Sequence, residues 1–103
     1  MKIAVKDWWY QQEQTKANKY NWVLCWGTVY ENKKGTRTYD LELAHSEVIG
    51  HFLVGEKVKE TEKAVQVELK FWNLNKAKYY RYITDLPVED KIWKTWVPKS
   101  VLL

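Results

Sequence analysis

The chain has 103 residues, long enough for one domain and too short for the large multi-layer enzyme folds. Its 46% hydrophobic and 29% charged residues are an ordinary soluble mixture, and 4 Gly with 2 Pro exclude a collagen-like or Pro/Gly-rich disordered chain. The balance of 17 Lys+Arg against 13 Asp+Glu leaves +4, which favours anionic partners without making a histone-like tail.

The unusual feature is a 16% aromatic fraction built from 7 Trp and 7 Tyr against 2 Phe. A core that needed only bulk would use Leu, Ile, Val and Phe, so rings with a polar handle are over-supplied. Only Arg37 and Arg81 are arginines. Lysine is a flexible point charge, so phosphate contacts are expected to be sequence-independent. Cys25 stands alone, which rules out an intrachain disulfide and predicts a reducing compartment. No apolar run approaches the ~18 residues of a membrane span, and MKIAVKDWW lacks an apolar signal-peptide core. A cytoplasmic protein without a membrane contact is expected.

In chain order, Ile3 and Val5 mark a short edge strand at 2–5. Asp7 can cap a helix through QQEQTKANK with Trp9, Glu13, Lys16 and Tyr20 on one face, or the segment is an extended strand and loop. Residues 22–30 carry apolar side chains at both parities (Trp22, Leu24, Trp26 against Val23, Cys25, Val29), predicting a central strand covered on both faces. Asn32-Lys33-Lys34-Gly35 is a hairpin turn signal. It leads to a half-buried strand at 36–43, where Arg37, Tyr39, Leu41 and Leu43 alternate with Thr38, Asp40 and Glu42.

Ala44, Val48, Ile49, Phe52 and Leu53 then predict a short helix over 44–54, with Ser46 as N-cap and Gly55 past its end, although Gly50 weakens it. The following GEKVKETEK reads as a solvated connection or an edge strand. Over 64–72, Val65, Val67, Leu69 and Phe71 point one way and Gln66, Glu68, Lys70 and Trp72 the other. A turn at 73–76, a returning strand at 78–83, a loop containing Pro87 and a last strand at 91–97 ended by Pro98 complete the chain. The expected fold is α+β and β-rich: a single domain, 1–103, with a small antiparallel sheet or partly open barrel of about five or six strands and one or two short helices.

Strand parity places some rings outside the first core layer. Trp72 lies opposite the Val65–Phe71 set, and Trp93 and Trp96, three apart, cannot share a face. The same holds for Tyr79 against Tyr80 and Tyr82. Something must cover these rings: the segment with Trp8, Trp9 and Tyr10, a second subunit, or a ligand. Around them Lys70, Lys76, Lys78 and Arg81 form one run without an acid, and Lys91, Lys94 and Lys99 another. Aromatics interleaved with lysines are the pattern of single-stranded nucleic-acid binders on β-surfaces. The candidate set is therefore Trp72, Tyr80, Tyr82 and one of Trp93 or Trp96 on bases, with Lys70, Lys76, Lys78, Arg81 and Lys94 on phosphate. The alternatives are rings packed under a helix with lysine stems over them, a host-protein partner, and a homodimer interface.

Catalytic and metal chemistry are not expected. His45 and His51 are the only histidines, and no further ligand completes a zinc set. His45, Ser46 and Glu47 are adjacent and cannot fold back into a triad. Cys25 reads as a core residue, and the pairs Glu60/Glu62 and Glu89/Asp90 fall on surface-type segments. With no P-loop and no GxGxxG, the expectation is a non-enzymatic binding protein without cofactor or metal.

Two short motifs carry a family resemblance: Thr61-Glu62-Lys63-Ala64, opening a strand, and Trp96-Val97-Pro98-Lys99-Ser100, closing the domain. This T-x-K-A … W-x-P-K-S pattern over residues 60–101 resembles short phage- and prophage-encoded proteins. The resemblance implies a virus–host setting, which includes nucleic-acid handling and inhibition of host defence of the anti-CRISPR or anti-restriction type.

Overall fold

The computed structural model describes residues 1–24, 26–39, 41–77 and 92–103. Strand β1 (Lys2–Lys6) runs directly into helix α1 (Asp7–Asn18). Strands β2 (Trp22–Val23), β3 (Gly27–Glu31) and β4 (Arg37–Tyr39) follow, then the long β5 (Glu47–Glu60) and β6 (Ala64–Leu69). The short β7 (Trp72–Asn73), helix α2 (Leu74–Ala77), β8 (Trp93–Pro98) and a 3-10 turn at Lys99–Val101 complete the order. The protein is β-rich, with a six-stranded antiparallel sheet in the order β4-β3-β5-β6-β8, β1 added against β5, and a separate two-stranded sheet of β2 and β7.

The helix over the N-terminal polar stretch forms, and its buried residues are Trp9, Glu13 and Ala17. Lys16 and Tyr20, expected on the same face, are exposed. Asp7 is the first helical residue and not the cap; it places a carboxylate in the first turn, where the helix dipole favours it. The Asn32 turn is as expected: its side-chain oxygen accepts the N–H groups of Lys34 and Thr36, both at 3.0 Å, and Gly35 takes φ +82°.

Three expectations are corrected. Residues 22–30 are not one central strand: the chain leaves β2 after Val23 and re-forms a ladder only at Gly27, so it serves two sheets. The half-buried strand expected over 36–43 shrinks to Arg37–Tyr39. Residues 44–54 are not a helix. Ser46 caps nothing helical; its N–H and hydroxyl both donate to the Leu43 carbonyl in the turn before β5. The helix-like periodicity comes from a strand whose register slips: Val29 faces Gly50 but Tyr30 faces Val48, leaving Ile49 as an extra residue.

β5 organises the sheet. Its first part pairs with β3 and β1, and from Gly55 onward it pairs with β6. Two glycines permit this crowding: a Cβ at Gly50 would stand 2.1 Å from the Val5 carbonyl oxygen, and one at Gly55 2.3 Å from that of Glu68. The C-terminal residues return to β1 through a single bridge, Val5 to Leu102, so the sheet curls without closing into a barrel. Ile3, Val5, Trp9, Leu24, Leu53, Val65, Val67, Leu69, Phe71, Val97 and Val101 form the continuous core under α1.

Candidate functional site

Of the expected aromatic surface, Lys70, Trp72, Lys76, Trp93, Lys94 and Trp96 lie among the described residues, and Trp72 is not on it. Trp72 is fully buried, because β6 ends at Leu69 and parity ends with it. Lys70 donates its N–H to the Val54 carbonyl at 2.8 Å and stays exposed. Both Phe71 and Trp72 then turn inward, Phe71 against Trp22 at 4.2 Å between ring centroids and Trp72 against Trp26 at 4.2 Å. Lys78, Tyr80, Arg81 and Tyr82 lie outside the described residues, as do Cys25, Asp40, Tyr79, Pro87, Glu89, Asp90 and Lys91.

On β8 the parity holds. Val97 is buried and Trp93 half-buried on one face; Lys94 and Trp96 are exposed on the other. The outer face is electrically mixed. Lys94 pairs with Glu68 across the strands at 3.5 Å, and Lys99 with Glu60 at 3.6 Å, so carboxylates from neighbouring strands offset lysines that form an acid-free run in sequence. Trp96 sits between these pairs, opposite Gln66. The two short motifs, Thr61–Ala64 and Trp96–Ser100, meet here: Thr61 closes a turn on Ala64, Ala64 pairs with Pro98, and Lys99 donates its N–H to the Lys63 carbonyl at 2.8 Å.

A second aromatic group lies on the inner side of β8. Tyr20 stacks on Trp22 at 5.0 Å and 29°, and Trp22 stacks on Phe71 at 24°, making a three-ring column that runs from solvent into the core. Trp93 meets Trp22 edge-on at 5.7 Å and 89°, and its ring lies 6.2 Å from Tyr20. The outer ring, Tyr20, is 58% exposed, and Leu74, whose N–H meets the carbonyl of the next residue, Asn21, is exposed as well.

Local chemistry explains the arrangement. Asn21 takes φ +58°, which asparagine tolerates better than most residues, and turns the chain from α1 into β2. The Gln14 amide then clamps that strand, donating to the Trp22 carbonyl at 2.7 Å and accepting the Leu24 N–H at 2.9 Å. The Leu74 N–H donates to the Asn21 carbonyl at 2.6 Å and brings α2 alongside.

Acids are sparse in the segments that carry this nest. Residues 14–30, 69–84 and 91–103 contain no acid, and the nest is where described parts of all three meet. Lys16, Lys19 and Lys76 are exposed on the elements that carry it. The Glu13 carboxylate is buried and engaged: it accepts from Thr95 Oγ1 at 2.5 Å and Trp93 Nε1 at 3.3 Å, and its other oxygen pairs with Lys16 Nζ at 3.2 Å. Tyr20 and Trp22 stand far in sequence from the basic aromatic runs of the second half, so those runs do not point to them. The absence of acids from 14–30 is the signal in the sequence that does.

Elsewhere, His51 stacks on Tyr10 at 4.1 Å, and its Nδ1 lies 3.1 Å from Asp7 Oδ1, off the line of a hydrogen bond. Burial holds its pKa below the ordinary histidine value, with Asp7 opposing. An open apolar groove of about 270 Å³ lies between β1 and β6, floored by Ile3, Val65 and Val67. Among the described residues, no group of three or more His, Cys, Asp or Glu side chains gathers in metal-binding geometry, and no helix is long and apolar enough to cross a membrane. No protein-family model, curated protein or solved structure matches the chain.

Proposed function

We propose that this protein is a small non-enzymatic module that binds single-stranded nucleic acid, with bases stacking at the Tyr20–Trp22–Trp93 nest and Lys19 and Lys76 meeting phosphates. The observation that carries this reading is the convergence of three acid-free segments on a stacked column whose outer ring is open to solvent. An exposed ring accepts any base face, and lysines neutralise phosphate without selecting sequence. Unpaired strands fit better than duplex, whose base faces are hidden in the stack. The phage-type motif pattern is compatible with such a role. Titrating tryptophan fluorescence with an oligonucleotide tests the proposal: quenching at low salt that weakens as salt rises is expected. No quenching at low salt, or quenching indifferent to salt, overturns it.

A second reading has its own observation. Trp96 is 44% exposed on the outer face, flanked by the neutralised pairs Lys94–Glu68 and Lys99–Glu60. An exposed tryptophan beside cross-strand ion pairs suits a protein surface better than a polyanion, as in an inhibitor of a host defence system or a homodimer. Affinity capture from nuclease-treated host lysate, compared between the wild type and Trp96→Ala, separates this reading from the first, and sedimentation at two concentrations identifies a dimer.

A further inference from the structure

We infer that Glu13 is a positioning residue for the aromatic nest: its buried carboxylate holds Trp93 edge-on to Trp22 and thereby sets the shape offered to a base. This rests on the nucleic-acid reading of the nest. Glu13 is only 3% exposed, in a helix whose other buried residues are Trp9 and Ala17. A glutamate is almost never buried this fully unless its charge is paired and its oxygens are hydrogen-bonded. Here each oxygen is used. One accepts from Thr95 Oγ1 and Trp93 Nε1, both on β8, and the other faces Lys16 Nζ on α1.

This geometry does two things for the nest. Trp93 sits at the start of β8, paired with Leu69, and its indole meets both the Glu13 carboxylate and, at right angles, the Trp22 ring. A hydrogen bond to a charged acceptor is stronger than a neutral one, so it restricts rotation of the ring. The same carboxylate is masked by Lys16 and buried, so the nest gains an anchor without showing a negative charge to a phosphate. A leucine at this position would fill the space but would leave the Thr95 hydroxyl and the Trp93 N–H without their acceptor.

The test is a double-mutant cycle read in two ways. Glu13→Met removes the acceptor at similar volume, and oligo(dT) affinity is expected to fall roughly tenfold, the scale of one stacking interaction. Trp93→Ala is expected to give a similar loss, and the double variant little more than either alone, because Glu13 acts through Trp93. In Glu13→Gln, which keeps the shape and removes the charge, the Trp93 indole N–H resonance is expected to shift and affinity to fall severalfold. That readout stands even where Glu13→Met is too unstable to study. Independent, additive losses, or an unmoved Trp93 resonance in Glu13→Gln, would overturn the positioning role. Unchanged affinity in both Trp93→Ala and Tyr20→Ala would instead overturn the nest as a binding site, and this inference with it.

Discussion

Trp93 and Trp96, three residues apart on β8, occupy opposite faces of the sheet: Trp93 packs edge-on against Trp22 on the inner side, and Trp96 stands 44% exposed opposite Gln66. The two tryptophans therefore report on different surfaces. If bases stack at the nest, Tyr20→Ala is expected to weaken oligonucleotide binding by about 1–2 kcal/mol, roughly tenfold, while Trp96→Ala changes it by less than about twofold. Fluorescence or anisotropy titration of both variants checks this, and a dominant effect of Trp96→Ala would move the binding surface to the outer face.

Trp72 gives the complementary case, a ring that parity expects outside and the fold buries completely against Trp26. Trp72→Ala is expected to cost about 3–5 kcal/mol in chemical denaturation, as a large core truncation does. A surface ring would cost less than about 0.5 kcal/mol.

The contrast between these two residues shows what was legible in the sequence. Parity is a rule about a strand that continues, and β8 continues through both Trp93 and Trp96, so the opposite-face conclusion holds. β6 ends at Leu69, and nothing in Lys70-Phe71-Trp72 announces the turn, because a chain leaving one ladder for another keeps its β-type residues. The 44–54 segment fails for a related reason. One extra residue at Ile49 shifts the apolar spacing of β5 from period two into something that imitates a helix. The charge pattern misleads across strands. Lys94 belongs to an acid-free run in sequence, yet its neighbour in space is Glu68, twenty-six positions away. The nest is readable in part, since Trp93 is a candidate on parity alone. Tyr20 and Trp22 become part of it only when β2 pairs with β7 and lays Trp22 over Phe71, a long-range pairing that no local pattern encodes.

Gly55 marks the passage of β5 from β1 to β6, and its missing side chain lets the Glu68 carbonyl approach to where a Cβ would stand 2.3 Å away. Gly55→Ala is expected to destabilise the protein by about 1–3 kcal/mol or more, because the obstacle is backbone and cannot swing aside. Gly35→Ala meets no neighbour within 4 Å and loses only the left-handed preference at φ +82°, about 1 kcal/mol. Equilibrium unfolding of the two variants should rank them in that order.

Lys19 follows α1 directly and precedes Tyr20, with its side chain exposed. On a single strand, each phosphate that a lysine neutralises adds about 0.7 to the slope of log affinity against log salt. Lys19→Gln is expected to reduce the slope by that amount and to weaken binding evenly across oligonucleotide sequences. Lys94→Gln, already paired with Glu68, is expected to leave the slope unchanged. Equal effects from both would argue for a diffuse field over the whole protein in place of a local site.

His51 links stability to pH through its place between Tyr10 and Asp7 on the packed side of β5. Burial lowers its folded pKa below the value of about 6.5 that it has when unfolded, and the Asp7 carboxylate opposes the shift without reversing it. The unfolded chain therefore binds the proton first as pH falls. This contribution is fully present above about pH 6.5 and is lost progressively as pH drops from there towards the folded pKa. Thermal unfolding between pH 7.5 and 5, both on the order of a unit from that value, should show the melting temperature falling on acidification. In His51→Gln, which cannot titrate, the fall should be smaller. If the melting temperature instead rose on acidification in the wild type and not in His51→Gln, the Asp7 pair would dominate burial, and the histidine would clamp α1 to the sheet in its charged form.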